Sequence, residues 1–183
     1  MLTRARAPRV RRTHDDNMTS KPVLREAGTQ NEFAAARLLF EEYAEHLAID
    51  LCFQDFESEL DQLPDMYGPP SGCLLLACCD EAFVACGGVR RISDSVCEMK
   101  RLYVRPELRG MKVGRELCVA LIRKASALGY TRLVLDTLAE MTAARCLYRS
   151  LGFREIPPYY LNPTPGVLYM ELDCRSGFID RQR

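Results

Sequence analysis

The chain has 183 residues, of which 48% are hydrophobic and 27% are charged, a composition that predicts one globular domain and excludes a disordered or fibrous protein. Its longest uninterrupted apolar run is Cys73–Cys79, far shorter than the roughly 20 residues of a membrane-spanning helix. Basic and acidic residues number 25 each, but five arginines precede the first acid, so the rest of the chain is net acidic and has no general attraction for nucleic-acid phosphates.

The N-terminal segment, residues 1–20, is rich in arginine and has no apolar stretch of the kind that a secretory signal needs. We predict a disordered basic extension here, with Met18 as an alternative start of the chain. A transit peptide is less favoured because Pro8 interrupts any helix, and RNA contact through the arginines is the least favoured interpretation. Residues 21–175 are predicted as one domain and residues 176–183 as a tail.

A short strand over residues 23–27 and two helices are predicted next. Thr29 followed three residues later by Glu32 is a capping-box signature, and apolar residues then recur every three or four positions up to Leu47, which predicts a helix. A second helix is predicted over residues 56–63, ended by Pro64 and followed by a loop over residues 65–72.

The remaining pattern predicts an antiparallel meander of strands followed by alternating helices and strands. The order indicates a mixed α/β domain with a mainly antiparallel sheet flanked by helices. The predicted strands are residues 73–79, 82–89, 96–104, 132–136, 153–156 and 167–172, and the predicted helices are residues 111–128 and 141–150.

Nine cysteines include no C-x-x-C pair, so no zinc or other metal site is predicted. Most of them lie in apolar stretches, where a cysteine is typically a small buried hydrophobic residue in a reducing compartment. We therefore expect a cytoplasmic protein.

The segment from Met99 to Leu117 runs from a strand through a turn containing Arg and Gly into a helix. The first turn of a helix has N–H groups without intrahelical partners and carries partial positive charge, so a turn at residues 109–114 can bind a pyrophosphate. A solvated basic helix start explains the same residues equally well.

At this point the sequence resembles the GNAT superfamily of N-acyltransferases. Arg109, Lys112 and Gly114 occupy the positions of the family's pyrophosphate loop, and the resemblance extends over residues 23–172. Four segments carry it in the family's order: CEMKRLYV, RGMKVG, LVLDT and AARCLYRSLGF. The resemblance implies a sheet that splays between the strand ending at Val104 and the strand ending at Asp136.

The resemblance also implies that acetyl-CoA is the cosubstrate and that its acetyl group moves to an amine by direct attack. The cofactor-binding residues that it implies lie on the strand before the loop, in the loop, and at the end of the next strand: Leu102, Tyr103, Val104, Arg109, Gly110, Met111, Lys112, Val113, Gly114, Arg115, Asp136 and Thr137. Two positions depart from the family pattern. Lys112 stands where Gly is usual, but lysine can take a helical conformation and adds a cation, so we expect binding to persist. Met141 stands where many members have Asn.

Two residues match the family's catalytic positions. Glu98 matches a strand glutamate that serves as the general base in some members, and its alternative role is an ion pair with Lys100 or Arg101. Tyr148 matches the tyrosine that donates a proton to the departing thiolate, and its alternative role is a core aromatic.

The acceptor is expected to be a small-molecule amine or a protein amino group. The resemblance implies a pocket built from residues 43–53 and from the loop over residues 156–166, in which Tyr159, Tyr160 and Asn162 are candidate contacts. A homodimer is compatible with the late strands. The alternative function is a noncatalytic acyl-CoA-binding or regulatory module of the same fold, over which Glu98 and Tyr148 favour the enzyme.

Overall fold

A computed structural model describes residues 21–47 and 55–175. The predicted basic extension and the predicted C-terminal tail lie outside the described residues. The strands are β1 (Val23–Glu26), β2 (Cys73–Cys79), β3 (Ala82–Arg91), β4 (Val96–Val104), β5 (Arg132–Leu138), β6 (Arg154–Ile156) and β7 (Val167–Asp173), and the helices are α1 (Gln30–Leu47), α2 (Phe56–Asp61), α3 (Leu63–Tyr67), α4 (Val113–Ala127) and α5 (Thr142–Ser150). None of these helices is long and apolar enough to cross a membrane.

The predicted capping box at the start of α1 is confirmed. The Thr29 N–H donates to Glu32 Oε2 at 3.0 Å, and the Glu32 N–H donates back to Thr29 Oγ1 at 3.3 Å. The Gly28 N–H also donates to Glu32 Oε2. These bonds hold the pKa of the exposed Glu32 below its ordinary value, with the Gly28 N–H as the largest cause.

The predicted end of the second helix at Pro64 is wrong. Helix α2 ends at Asp61, and Pro64 lies in the first turn of a further helix, α3. Proline lacks only an N–H that the first turn leaves unpaired in any case, so it is tolerated there. The connecting loop is therefore shorter than predicted and covers residues 68–72.

The seven strands form one mixed sheet in the order β1-β2-β3-β4-β5-β7-β6. All neighbouring pairs are antiparallel except β4 and β5, which are parallel and paired only over Val96–Glu98 and residues 132–134. Both strands continue for several residues beyond that ladder. The sheet is thus splayed between β4 and β5, which confirms the fold that the family resemblance implied.

Strand β4 contains a β-bulge just where it leaves β5. The register shifts so that Cys86 pairs with Tyr103 while Gly88 pairs with Lys100, and Arg101 has a φ of +59° in the left-handed region. A bulge places an extra residue on one strand and changes the direction of the side chains that follow. Here the side chains of Lys100 and Arg101 both reach acids, Asp136 and Glu59 respectively.

The sheet separates two hydrophobic layers. One face packs against α4 and α5 around Leu117, Leu121 and Tyr148, and the other packs against α1, α2 and α3 around Phe40 and Tyr67. The predicted burial of the cysteines is confirmed for most of those that the structure describes. The buried ones are Cys73, Cys79, Cys86, Cys97, Cys118 and Cys174, whereas Cys78 is half-buried and Cys146 is exposed.

Candidate active site

The turn that joins β4 to α4 has two residues in the left-handed region, Gly110 at φ +85° and Lys112 at φ +65°. Lys112 therefore does not adopt the right-handed helical conformation that the sequence analysis allowed for it. A lysine side chain is strained in this region, whereas glycine adopts it freely. This strain explains in physical terms why glycine suits the position and why Lys112 is a departure from the family pattern.

The N-terminus of α4 suits an anionic ligand. Lys112 is the N-cap residue and makes no side-chain hydrogen bond to the first turn, and helix geometry leaves the first N–H groups without intrahelical partners. A side chain at Gly114 would meet only Val104 Cγ2, at 3.5 Å. The backbone is thus open to close approach, and its residues fit the pyrophosphate that the sequence implied.

A groove of about 710 Å³, here called the loop groove, runs along the turn and the end of β4. The structure brings most of the predicted cofactor-binding residues together here, and α1 and α5 form the opposite wall. Three of the predicted residues lie outside its lining: Met111, whose side chain is 51% exposed, and Asp136 and Thr137, which line a neighbouring cavity. The predicted residues that line the loop groove are Leu102, Tyr103, Val104, Arg109, Gly110, Lys112, Val113, Gly114 and Arg115.

Side-chain hydrogen bonds hold this turn on the sheet. Arg109 Nε donates to the Val104 carbonyl at 3.2 Å, and Arg105 makes a two-pronged contact with Glu42 of α1, at 2.9 Å and 2.6 Å. His46 of α1 lies 3.3 Å from the Tyr103 hydroxyl and forms part of the groove wall. The end of β4, the turn and α1 are therefore fixed relative to one another.

A smaller cavity, here called the central cavity, lies in the splay between β4 and β5. Asp136, Thr137 and Tyr148 line it, together with Lys100. Tyr43 and Leu102 line both this cavity and the loop groove, so the two adjoin each other. Burial raises the pKa of Tyr148 well above its ordinary value, which keeps its hydroxyl protonated at neutral pH.

A third cavity of about 540 Å³, here called the charged pocket, opens on the α2 side of the sheet. Lys100 lines both the charged pocket and the central cavity. Charged side chains from three elements meet there with two tyrosine rings and a few apolar side chains. The lining residues used below are Met66, Arg90, Ile92, Glu98, Tyr159 and Tyr160.

Glu98 lies in the charged pocket and is 2% exposed. Its Oε2 accepts from Arg90 Nε at 2.8 Å and lies 2.7 Å from Arg90 Nη2, while its Oε1 accepts from the Tyr159 hydroxyl at 2.7 Å. Lys100 Nζ is 3.9 Å from Oε1. Of the two ion-pair partners expected for Glu98, Lys100 is thus a distant one, and Arg101 is bound to Glu59 instead.

Asp136 is held at the start of the splay by three donors. Lys100 Nζ lies 3.1 Å from Oδ1, the Tyr160 hydroxyl donates to Oδ2 at 3.0 Å, and Asn162 Nδ2 lies 3.5 Å from Oδ2. The bond between Lys100 and Asp136 spans β4 and β5 just beyond their last ladder pair. A side-chain contact thus replaces the missing backbone bonds at the opening.

Two ion-paired residues of this region were missed by the sequence reasoning, Arg90 and Glu59. Arg90 pairs with Glu98 across the β3–β4 hairpin, and both lie four residues from Asp94 at its turn, a symmetry that could have predicted the pair. Glu59 lies on α2 and accepts from Arg101 at 3.1 Å and 2.5 Å and from the Tyr67 hydroxyl at 2.6 Å. No local sequence signal identifies that contact.

This combination of features defines a class of protein. A mixed sheet splayed between two parallel strands, with an uncapped helix start at one end of the opening and a cavity in the splay, can hold a long phosphorylated thioester and present its reactive end inside the sheet. It is the architecture of an acyl-CoA-dependent transferase.

Comparison with known proteins supports the assignment to this class. The profile of the Acetyltransferase (GNAT) family matches residues 34–153. An uncharacterized N-acetyltransferase from Schizosaccharomyces pombe is 44% identical over 140 residues, which are 75% of this chain and 85% of the relative. The chain therefore belongs to the GNAT acetyltransferase family and is an acetyl-CoA-dependent N-acetyltransferase.

Solved structures show the same fold. An acetyltransferase from Streptococcus agalactiae has a TM-score of 0.70 at 22% identity and covers 83% of this chain and 98% of its own. An acetyltransferase from Salmonella typhimurium, solved with its cofactor acetyl-CoA, has a TM-score of 0.61 at 21% identity and covers 85% of this chain and 95% of its own.

Proposed function

We propose that this N-acetyltransferase acetylates the primary amine of a small molecule that enters through the charged pocket. The observation that carries the proposal is that the three cavities adjoin one another at the splay. The loop groove and the central cavity share lining residues, and Lys100 forms a shared wall between the central cavity and the charged pocket. Donor and acceptor can therefore approach the splay from opposite sides.

The experiment that tests this function is release of free thiol from acetyl-CoA in the presence of a panel of small primary amines. Thiol release that depends on the amine, with the N-acetyl product identified by mass spectrometry, supports the small-molecule acceptor. Thiol release that occurs only with peptides or proteins would instead assign a protein amino group. Binding of acetyl-CoA without turnover for any acceptor would assign the noncatalytic module.

The donor side of the site would be held by the loop groove. The backbone N–H groups at the start of α4 and the cations of Arg109 and Lys112 would bind the pyrophosphate. The edge of β4 over residues 102–104 would supply backbone donors that polarise the thioester oxygen. Acetyl-CoA, when bound, supplies an activated carbonyl carbon and a thiolate leaving group.

A charge change at Gly114 tests this assignment. We expect Gly114→Asp to weaken acetyl-CoA binding at least about 10-fold, because a carboxylate would stand at the start of α4 where the ligand is also anionic. Isothermal titration calorimetry measures the effect. Gly114→Ala is the control, because its added Cβ would make only an ordinary van der Waals contact with Val104. It shows the effect of the added side-chain volume without the negative charge. Equal weakening of acetyl-CoA binding by both variants would contradict the electrostatic explanation.

On the acceptor side, Glu98 would take the proton that the amine must lose. An ordinary alkylamine has a pKa near 10.4, so it arrives as the non-nucleophilic ammonium. A carboxylate offers about four lone-pair sites, and Glu98 Oε1 accepts one hydrogen bond, from Tyr159. The second site on Oε1 remains to accept from the amine, directly or through water.

Tyr148 would donate to the departing thiolate inside the central cavity. Its ring packs on Phe153 with centroids 5.6 Å apart, so the ring is held by the core while the residue lines the cavity. Burial keeps the hydroxyl protonated, and a protonated hydroxyl stabilises a thiolate by donating a hydrogen bond.

We expect Tyr148→Phe to lower kcat about 10-fold or more while the thermal midpoint and the affinity for acetyl-CoA stay close to those of the wild type. The substitution keeps the ring and removes only the hydroxyl. Steady-state kinetics together with thermal unfolding separate the two roles. A fully active variant would show that Tyr148 is a packing residue.

A further inference from the structure

The charged pocket is lined by one exposed acid, Asp55, and by two buried acids whose carboxylates already accept hydrogen bonds. Glu98 accepts from Arg90 and Tyr159, and Glu59 is bound by Arg101 through both of its oxygens. Asp136, next to the pocket, accepts from Lys100 and Tyr160. Beyond the second site on Glu98 Oε1 that the amine would use, the buried acids therefore leave few acceptor sites for a ligand.

Arg90 differs from these acids, because some of its N–H groups have no acceptor among the described residues. Its side chain is 26% exposed and lines the pocket. Arg90 Nε and Nη2 both approach the same Glu98 oxygen, and no residue within 21–47 or 55–175 accepts from Nη1. The outer edge of the guanidinium, formed by Nη1 and the second N–H of Nη2, thus remains available to a planar two-oxygen group.

The position of Arg90 fits one end of a small acceptor. Arg90 pairs with Glu98 in the β3–β4 ladder, and Gly88 pairs with Lys100. The backbone positions of Arg90 and Lys100 are therefore two residues apart along the strands, a distance of about 7 Å. Lys100 borders the central cavity. A molecule of a few bonds can therefore contact Arg90 while its amine reaches the central cavity.

The rest of the lining suits the body of such a molecule. Met66, Ile92 and the rings of Tyr159 and Tyr160 provide apolar surface between the charged groups. The tyrosine hydroxyls point to Glu98 and Asp136, so the rings are fixed in place. An acceptor with a short apolar chain between its polar ends would be buried there.

We propose that the acceptor is a small aminocarboxylate with a short chain between its two ends, whose carboxylate binds the outer edge of the Arg90 guanidinium while its amine reaches the central cavity beside Lys100. Arginine is the side chain whose fork matches a carboxylate in two parallel hydrogen bonds. This assignment rests on the proposed function and narrows its acceptor class.

The test compares matched acceptors that differ only in the carboxylate. The pairs are 4-aminobutanoate with propylamine, 5-aminopentanoate with butylamine and 6-aminohexanoate with pentylamine, assayed by thiol release from acetyl-CoA. We expect at least one carboxylate member to be preferred about 10-fold or more in kcat/KM, calculated per unprotonated amine. Loss of a charge-assisted hydrogen-bonded contact is worth about that factor.

Arg90→Gln is expected to reduce that preference about 10-fold or more. Because Arg90 also contacts Glu98, the variant will lower activity toward both members of a pair, but the ratio between them cancels the common loss. Arg90→Lys keeps the charge without the fork and should give an intermediate ratio, which preserves the test if Arg90→Gln unfolds. Arg91→Gln is the matched control, because Arg91 pairs with the exposed Asp94 outside the pocket, and it should leave the ratio unchanged.

Three results would overturn the proposal: a wild-type preference near unity for every pair, a preference that Arg90→Gln leaves unchanged, or a stronger preference for 2-aminoethyl phosphate over ethanolamine than for any carboxylate. The first two results, obtained with amine-dependent thiol release intact, would leave the acetyltransferase function standing. Absence of thiol release with every small amine would contradict the proposed function itself.

Discussion

Glu98→Gln is expected to lower kcat/KM for an amine acceptor about 100-fold or more, with little change in acetyl-CoA affinity. Glutamine keeps the size of the side chain but cannot take a proton at neutral pH, and a positioned general base contributes about 10²- to 10⁴-fold. The loop groove does not include Glu98, so the donor side should be unaffected. Steady-state kinetics and calorimetry measure the two quantities.

The pH dependence identifies the group responsible. If Glu98 is the base, the acidic limb of the kcat/KM profile should stay at the same pH for acceptors whose amines differ in basicity, and it should disappear in Glu98→Gln. Glu98→Asp keeps the carboxylate and should retain part of the activity. A limb that follows the basicity of the acceptor and survives in Glu98→Gln would assign proton removal to water and backbone carbonyls.

Arg101→Met is expected to destabilise the fold by about 3–5 kcal/mol, since it leaves the Glu59 carboxylate buried without its partner. Both side chains of this pair are almost completely buried, and Arg101 also lies over the Phe56 ring at 4.9 Å. Urea unfolding followed by circular dichroism measures the change. The double variant Glu59→Gln/Arg101→Met should recover a large part of it, because no uncompensated charge remains.

Arg37→Met is the matched control, because Arg37 contacts Asp61 of the same helix, α2, in an exposed pair. Exposed pairs contribute little, so its unfolding midpoint should be close to that of the wild type. Equal losses in Arg37→Met and Arg101→Met would show that α2 docking, rather than the buried charge, determines the effect.

The same pair should make the protein sensitive to acid. Burial raises the pKa of Glu59, but the hydrogen bonds and charge of Arg101 outweigh burial and lower it below its ordinary 4.5. A lowered folded-state pKa gives stability that is present above the unfolded value and lost as the pH falls through the folded value. Wild-type protein should therefore lose more stability below pH 4.5 than Glu59→Gln/Arg101→Met does.

The sequence predicted those parts of the fold that depend on local patterns. The capping box at Thr29, the apolar repeat of α4 and the antiparallel meander of β2, β3 and β4 each depend on residues close together in the chain, and each is confirmed. The splay and the cofactor-binding residues of the loop were instead predicted from the family resemblance. The helix end predicted at Pro64 was wrong because proline is common both just after a helix and in the first turn of one.

The parts that escaped prediction depend on contacts between distant segments or on backbone conformation. Arg101 and Glu59 are 42 residues apart, and the bulge that turns Arg101 toward α2 has no sequence signature in β4. The left-handed conformation of Lys112 is imposed by the turn, against the preference of the residue itself. The catalytic assignments to Glu98 and Tyr148 remain predictions.

The short ladder between β4 and β5 has a consequence for cooperativity. The sheet consists of two halves, β1 to β4 and β5 to β7. Backbone pairing joins the halves at three residue pairs between β4 and β5. Side chains also couple the halves, through the core beneath α4 and the bond between Lys100 and Asp136. A ligand in the splay contacts both halves, so substrate binding contributes to the cohesion of the whole domain as well as to its chemistry.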